Sequence, residues 1–287
     1  PEWRMMWNDA SLGGALDAPG TAGRPENGDP VPDGEEERGD PDFVQGKGGD
    51  AAGQGPLGTR AANLDLECAR ILAGFLEAAG AEVRLTREGD FALSDVERVQ
   101  AAEAFHAERY LRIAHAAAPP RLGAHPSSAV GRAWAARTAA ELAALGLPVP
   151  AVTDEAQYVI QQTSCPALYA SAGSLADEAA EARLLAPDAL RTEAYALFLA
   201  LAREWAPGAA WPADSLTVLD GGGRPLAGAP VRLGGTFVLV TDASGRIRFA
   251  RTEPGPVDVV VEDPRAEYHA TLLESQRGAV LTGTTGR

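Results

Sequence analysis

The sequence predicts an α/β fold, a largely parallel or mixed sheet flanked by helices, followed by a small all-β sandwich. Two observations carry this. Up to about residue 206, apolar stretches of strand length alternate with longer stretches of helical periodicity, the pattern of strand–crossover–strand units. At Ala206-Pro207-Gly208 the pattern breaks, and short strand-like runs then alternate with Gly/Pro turn signals at roughly the spacing of a β-sandwich. The expected division is an α/β domain over 1–206, a linker over 207–213 and a sandwich over 214–287.

Trp3 to Trp7 is apolar apart from Arg4 and reads as a first strand, and Asn8 to Gly14 as a Gly-ended turn. Residues 20–57 form an insertion with ten Gly, five Pro and nine acidic side chains against three basic ones. Such a composition cannot bury enough apolar surface to offset ordering, and a solvated loop is its default. It shows no D-x-D-x-D-G calcium spacing. It does interrupt a domain between first strand and first helix, where long loops are either functional or disordered. Phe43 and Val44, an adjacent large apolar pair, are the residues through which this arm would dock across a groove or onto a neighbouring subunit.

Ala61 to Ala79 is a helix, with Leu64, Cys68, Ile71, Leu72, Phe75 and Leu76 on one face and Gly80 as its stop. Ala81 to Thr86 is a strand. Ser94 and Glu97 form a capping box that opens a second helix, ending near Ala107. Tyr110 to Ile113 is a strand, followed by a loop with Pro119, Pro120 and Pro126. An Ala-rich helix spans Ser128 to Leu145. Tyr158–Ile160 and Ala167–Ala170 read as strands, and Leu175–Leu185 and Pro187–Trp205 as helices. In the sandwich, strands are expected at Ser215–Leu219, Pro230–Leu233, Phe237–Thr241, Arg246–Phe249, Val257–Val261 and Tyr268–Leu272.

The net charge is -15 and the pI about 4.7. This argues against nucleic acid, which demands a basic footprint, and against adhesion to anionic lipid. No apolar run is long enough to cross a bilayer. The opening residues P-E-W-R-M-M-W lack the regions of a signal peptide. Cys68 and Cys165 are too few for a disulfide scaffold, and two buried thiols are expected.

His115 lies just past the carboxyl end of a predicted strand, where α/β proteins build their sites. A lone histidine there is either packed beneath a loop or a metal ligand. His106, His125 and His269 have no ligand spacing to it, and neither H-x-x-x-H nor C-x-x-C occurs.

The order of motifs over residues 3–206 resembles the zinc-dependent N-acetylmuramoyl-L-alanine amidases, which cut peptide stems from peptidoglycan. Asn63-Leu64-Asp65 is similar to the family's N-L-D helix, and Gly80 to Arg87 to its G-A-x-V-x-L-T-R strand. Leu93 to Val99 resembles its L-x-x-R-V helix start, and Ile113-Ala114-His115-Ala116 its S-I-H-A-N strand end. Val159 to Gly173 is similar to the family segment that ends P-A-V-L-V-E-x-G. The resemblance implies two histidines and a glutamate on zinc, with a second glutamate as general base. Carried over residue by residue, Leu12 stands for the first histidine, Thr59 for the ligand glutamate and Ser171 for the catalytic glutamate. His115 is the one retained ligand, and Ala117 replaces the asparagine. No catalytic residue and no bound metal are therefore expected, and Leu12, Thr59, His115 and Ser171 would line a remnant pocket. A Ser171–His115 nucleophile pair would need an orienting acid and an oxyanion hole, and nothing in the sequence marks them. The stretch between His115 and the Ala-rich helix is shorter than in the family and is expected to lack one family strand.

Residues 214–283 resemble carboxypeptidase regulatory-like (transthyretin-like) domains, through G-R-P-L-A-G-A-P-V at 223–231 and T-D-A-S-G-R-I-R-F at 241–249. That fold says little about a ligand.

These readings imply a catalytically dead, amidase-like component of the bacterial envelope, extracytoplasmic by resemblance. It would serve binding, scaffolding or assembly, with a protein partner or self-association and possible peptidoglycan contact. The alternatives are an active peptidoglycan amidase with a rebuilt zinc site, or a structural subunit of an extracellular assembly.

Overall fold

A computed structural model describes residues 3–9, 53–89, 91–209, 211–252, 255–263 and 266–283. Leu12, Phe43 and Val44, and the acidic insertion up to residue 52, lie outside the described residues.

The first sheet has six strands in the order β2-β1-β3-β6-β4-β5. They are β1 (Trp3–Asp9), β2 (Ala81–Leu85), β3 (Arg109–Ile113), β4 (Arg121–Ala124), β5 (Ala151–Asp154) and β6 (Ala167–Ser171). β1 pairs in parallel with β2 and β3, and β3 with β6. β4 runs antiparallel to β6 and parallel to β5, so the sheet is mixed. β6 reads A-L-Y-A-S and is buried along its whole length, as a central strand covered on both faces must be.

Helices α1 (Ala61–Ala78) and α2 (Asp95–Phe105) fall where their periodicity and caps place them. Gly80 takes φ +88 just past α1, a conformation that glycine adopts without strain. Both halves of the α2 capping box form. Ser94 Oγ accepts from the Glu97 N–H, and Glu97 Oε2 accepts from the Ser94 N–H at 2.7 Å. α3 (Ala129–Ala144) starts at Ser128, whose hydroxyl accepts from the Gly131 N–H. α5 (Glu178–Leu184) and α6 (Ala189–Trp205) follow β6. Every residue of α6 from Glu193 to Leu201 is buried, because α1, α3 and the β layer beyond enclose it. A helix apolar on all sides is one with no solvent face.

Two expectations fail in this part. Tyr158-Val159-Ile160 is not a strand but the start of α4 (Tyr158–Gln162). Its residues are aromatic and β-branched, but Val159 and Ile160 bury together against Phe105 and Tyr110, which one helical turn allows. The stretch after His115 does not lack a strand: β4 lies there and pairs with β6. β5 was not anticipated either. Both strands are only four residues long; β4 lies between Pro120 and Pro126, and β5 directly follows Pro150.

The remainder forms two further sheets. β7 (Ala213–Leu219), β10 (Arg246–Ala250) and β13 (Ala279–Thr282) make one, in the order β10-β7-β13. β8 (Pro230–Leu233), β9 (Phe237–Val240), β11 (Val257–Asp263) and β12 (Ala266–Leu272) make the other, in the order β12-β11-β8-β9. β13, absent from the sequence reading, pairs in parallel with β7. A buried ion pair, Asp214 with Arg251 at 2.6 Å, ties the start of β7 to the end of β10, and Asp214 also accepts from the Ser215 and Gly278 N–H groups.

One apolar cluster runs unbroken from α1 and α6 into the faces of both small sheets. Phe75, Tyr195, Phe198 and Phe237 form its aromatic centre, with ring centroids 5.1–6.2 Å apart. The Tyr195 hydroxyl donates to the Ala250 carbonyl and accepts from the Ala250 N–H. Arg191 of α6 donates to the Val238 carbonyl at 3.0 Å.

Candidate functional site

His115 sits two residues beyond β3 and is fully buried. Its Nδ1 lies 2.6 Å from Asp65 Oδ1 and its Nε2 3.1 Å from Glu193 Oε2. Asp65 comes from the second turn of α1 and Glu193 from the second turn of α6, and both are buried. A helix on each side therefore delivers one carboxylate to each imidazole nitrogen. Burial alone disfavours a charged imidazole. The Glu193 charge and the hydrogen bonds from both carboxylates outweigh it and push the His115 pKa up to about 10. At neutral pH the ring is a cation that donates from both nitrogens, Nδ1–H to Asp65 and Nε2–H to Glu193. Glu193 Oε1 has no hydrogen-bond partner among the described residues.

The residues at the other family positions have turned elsewhere. Thr59 holds no ligand carboxylate, and its N–H donates to Glu181 Oε1 at 2.8 Å. Ser171, buried at the end of β6, donates its hydroxyl to the Gly173 carbonyl. No Ser171–His115 pair forms, since both ring nitrogens belong to carboxylates. His125 bonds Ser127, His106 ends α2 at φ +53, and His269 lies on β12.

This donor set does not fit zinc. A zinc ligand must be a neutral imidazole with a free lone pair, and here both nitrogens face carboxylates. Those carboxylates meet the ring at different edges, so they share no coordination sphere with it. Among the described residues no group of three His, Cys, Asp or Glu side chains is placed to hold a metal ion.

The segments that adjoin this triad are tied to one another. Glu181 of α5 is buried and accepts from the Leu57 and Thr59 N–H groups, binding α5 to the turn that leads into α1. Gly55 lies against that carboxylate, where any Cβ would collide with it. Leu175 and Leu184 pack with Ala61 and Leu64 in a small apolar cluster, and Gly173 has no room for a Cβ beside Leu184. Leu175 N–H and Ser174 Oγ both donate to the Ala116 carbonyl, which pins the loop after β6 onto the His115 strand end.

Cys68 is buried one helical turn from Asp65, and burial followed by the Glu193 charge holds its thiol well above the ordinary range. Cys165 is half-buried, and burial pushes it up to about 11. Both are free thiols, and burial disfavours the thiolate of each.

Of the sequence-derived site residues that are described, His115 joins Asp65 and Glu193, while Thr59 bonds to Glu181 and Ser171 to the Gly173 carbonyl. Three carboxylates escaped attention. Asp65 is the last residue of the N-L-D motif. Glu193 left a trace, since it is a lone acid at the head of the apolar run A-Y-A-L-F-L-A-L. Glu181 left none in its acid-rich surroundings.

The fold has known counterparts. A crystal structure of an N-acetylmuramoyl-L-alanine amidase from Clostridium difficile 630 superposes with a TM-score of 0.53 at 12% identity, covering 72% of this chain and 98% of that one. The apo form of the amidase Ami1 from Mycobacterium abscessus gives 0.52 at 14% identity, covering 71% and 100%. The amidase AmiC2 of Nostoc punctiforme gives 0.51 at 20% identity, covering 55% and 91%. At these identities the likeness concerns the fold. No curated protein matches the chain. The sequence profile of the N-acetylmuramoyl-L-alanine amidases matches residues 43–203, more than half of the chain. The chain belongs to the N-acetylmuramoyl-L-alanine amidase family.

Proposed function

We propose that this chain is a non-hydrolytic amidase-fold protein that acts by binding or scaffolding at the bacterial envelope, outside the cytoplasm. The observation that carries this reading is the carboxylate on each nitrogen of His115. The ligand that the family would give to zinc serves here as the cation of a buried salt-bridge triad. With no glutamate at Ser171, no side chain there can take a proton from water. The Leu175–Leu184 cluster and the Glu181 clamp support the same reading, because they pack the segments that adjoin Asp65 and His115 against one another.

The division into an α/β domain over 1–206, a linker over 207–213 and a β-sandwich over 214–287 belongs to this proposal. So does the assignment of the last part to the carboxypeptidase regulatory-like sandwiches. Its two facing sheets and the Asp242 turn, which accepts from the Ser244 and Arg246 N–H groups, are consistent with that type. Such a module suits a partner protein or self-association, and the outer surface of the α/β part remains free for peptidoglycan. Among the described residues no helix is long and apolar enough to cross a membrane.

Two measurements on the purified full chain test the proposal. Elemental analysis after zinc loading and dialysis is expected to find far less than one zinc per chain. Incubation with peptidoglycan is expected to release no stem peptide, whether or not the protein sediments with the insoluble polymer. Stoichiometric zinc together with chelator-sensitive peptide release would restore an active amidase with a rebuilt site.

A further inference from the structure

Away from the triad, a cavity of about 120 Å³ opens between the α3–β5 connection, the start of α6 and the β9–β10 connection. Leu239, Ile247 and Tyr195 give it an apolar floor, and Asp188, Thr192, Asp242, Arg246 and Arg248 line the rest. Two carboxylates and two guanidinium groups thus face one small space, yet no side-chain ion pair within 4.0 Å joins them among the described residues. Their anchors explain why. Asp242 Oδ1 is fixed by the Ser244 N–H, the Ser244 hydroxyl and the Arg246 N–H. Arg246 Nη2 donates to Ser215 Oγ at 2.8 Å, while its Nε is buried without a hydrogen-bond partner among the described residues. Arg248 Nη1 reaches the Leu145 carbonyl at 3.4 Å. Asp188 precedes α6 but its side chain does not cap the helix.

We propose that this cavity binds a small α-amino acid, its ammonium group between Asp188 and Asp242 beside Thr192, and its carboxylate on Arg246 and Arg248. Asp188 has no ion-pair partner and the Arg246 Nε no hydrogen-bond partner among the described residues, while Asp242, held by three donors at Oδ1, has the Arg248 charge nearby. A zwitterion supplies both partners at once, which a water or a single ion cannot do. Burial and the neighbouring Asp242 charge hold the Asp188 carboxyl above the usual carboxylate range, as befits an anion awaiting a cation. Size agrees. A water needs only roughly 10–15 Å³ of such space, whereas pockets for drug-sized ligands begin near 300 Å³, so the occupant is of amino-acid size. The ligand would touch α6 and β10 together, and its binding would stabilise the joint between the two parts of the chain by mass action.

Calorimetric titration of the full-length protein with glycine and with L-serine tests this, with acetate and methylammonium as single-charge controls. Saturable one-to-one binding of the zwitterions is expected, with both controls weaker by about tenfold or more. Asp188→Asn and Arg248→Gln, checked for folding by circular dichroism, are each expected to weaken glycine binding by a similar factor. If either does not fold, Thr192→Val and Arg248→Lys take its place, with weakening again expected. Absence of binding up to tens of millimolar would mean that the cavity holds only water, and the proposal would fall. Acetate binding as tightly as glycine would make it an anion site, and unchanged affinity in the variants would place the ligand elsewhere. Either result overturns the assignment.

Discussion

Helix α6 carries two centres of opposite character only two residues apart. Glu193 reaches into the His115 triad, whereas Tyr195 stacks in the aromatic seam with Phe75, Phe198 and Phe237. In the seam each ring touches the other three, and no single contact is irreplaceable. In the triad each ring nitrogen has one partner, and no described group can substitute for the histidine between the two carboxylates. Apolar packing spreads its stabilisation over many weak contacts. A buried ion cluster concentrates it, because removing one member leaves the others desolvated and uncompensated. The two centres should therefore fail in different ways.

The largest effect should come from the triad. His115→Ala strands two buried carboxylates, and urea unfolding is expected to show a loss of about 3–5 kcal/mol. A loss below that of a single ring deletion would mean that water already relieves the site.

The second test uses pH. The facing groups are Asp65 from α1 and Glu193 from α6, with the Cys68 thiol nearby. The folded His115 holds its proton up to about pH 10, while the unfolded chain releases it near 6.5. The contribution of the triad is thus fully present below 6.5 and is lost as pH rises towards 10. Melting temperatures taken across this window should fall, and the fall should flatten in His115→Asn. The seam offers no titration there, since burial raises the Tyr195 hydroxyl far above that range. An equal slope in both proteins would deny the triad its charge.

The seam should respond more mildly. Phe237 is only partly buried, so Phe237→Ala is expected to cost about 2 kcal/mol, below the range for a fully buried ring. Tyr195→Phe keeps the ring and removes only the bonds to Ala250, and should cost about 1 kcal/mol. A double-mutant cycle of Phe237→Ala with His115→Ala should give near additivity, and strong coupling would mean that the two centres act as one.

The same contrast explains how much was legible in the sequence. Helices α1, α2, α3 and α6 announced themselves because their apolar stripes and caps are local. The strands β2, β3 and β6 did so through alternation after Gly80 in β2, the apolar residues of β3, and an apolar run after Pro166 in β6. β4 and β5 did not, because four residues carry no usable period, and the pairing of β4 depends on β6 from elsewhere in the chain. α4 was lost for the same reason in reverse: it opens with Tyr, Val and Ile, which have strand composition, and its packing against α2 makes it a turn of helix. At the site, His115 could be placed through its motif, but the assembly of Asp65, His115 and Glu193 spans three distant segments. Nothing along the chain records that convergence. The substitutions at Thr59, where the resemblance puts a ligand glutamate, and at Ser171, where it puts the general base, could be read along the chain, whereas the carboxylate on each nitrogen of His115 could not.

The enclosure of α6 also bears on how such a chain can be inherited or engineered. A segment that ended near residue 206 would leave Phe75, Tyr195 and Phe198 facing water where Phe237 and Ala250 had covered them. The C-terminal part is thus no interchangeable tail. Gene fusions that exchange it must supply a matching aromatic plug, and libraries cut at the 207–213 junction should yield sticky, aggregating halves rather than two soluble modules.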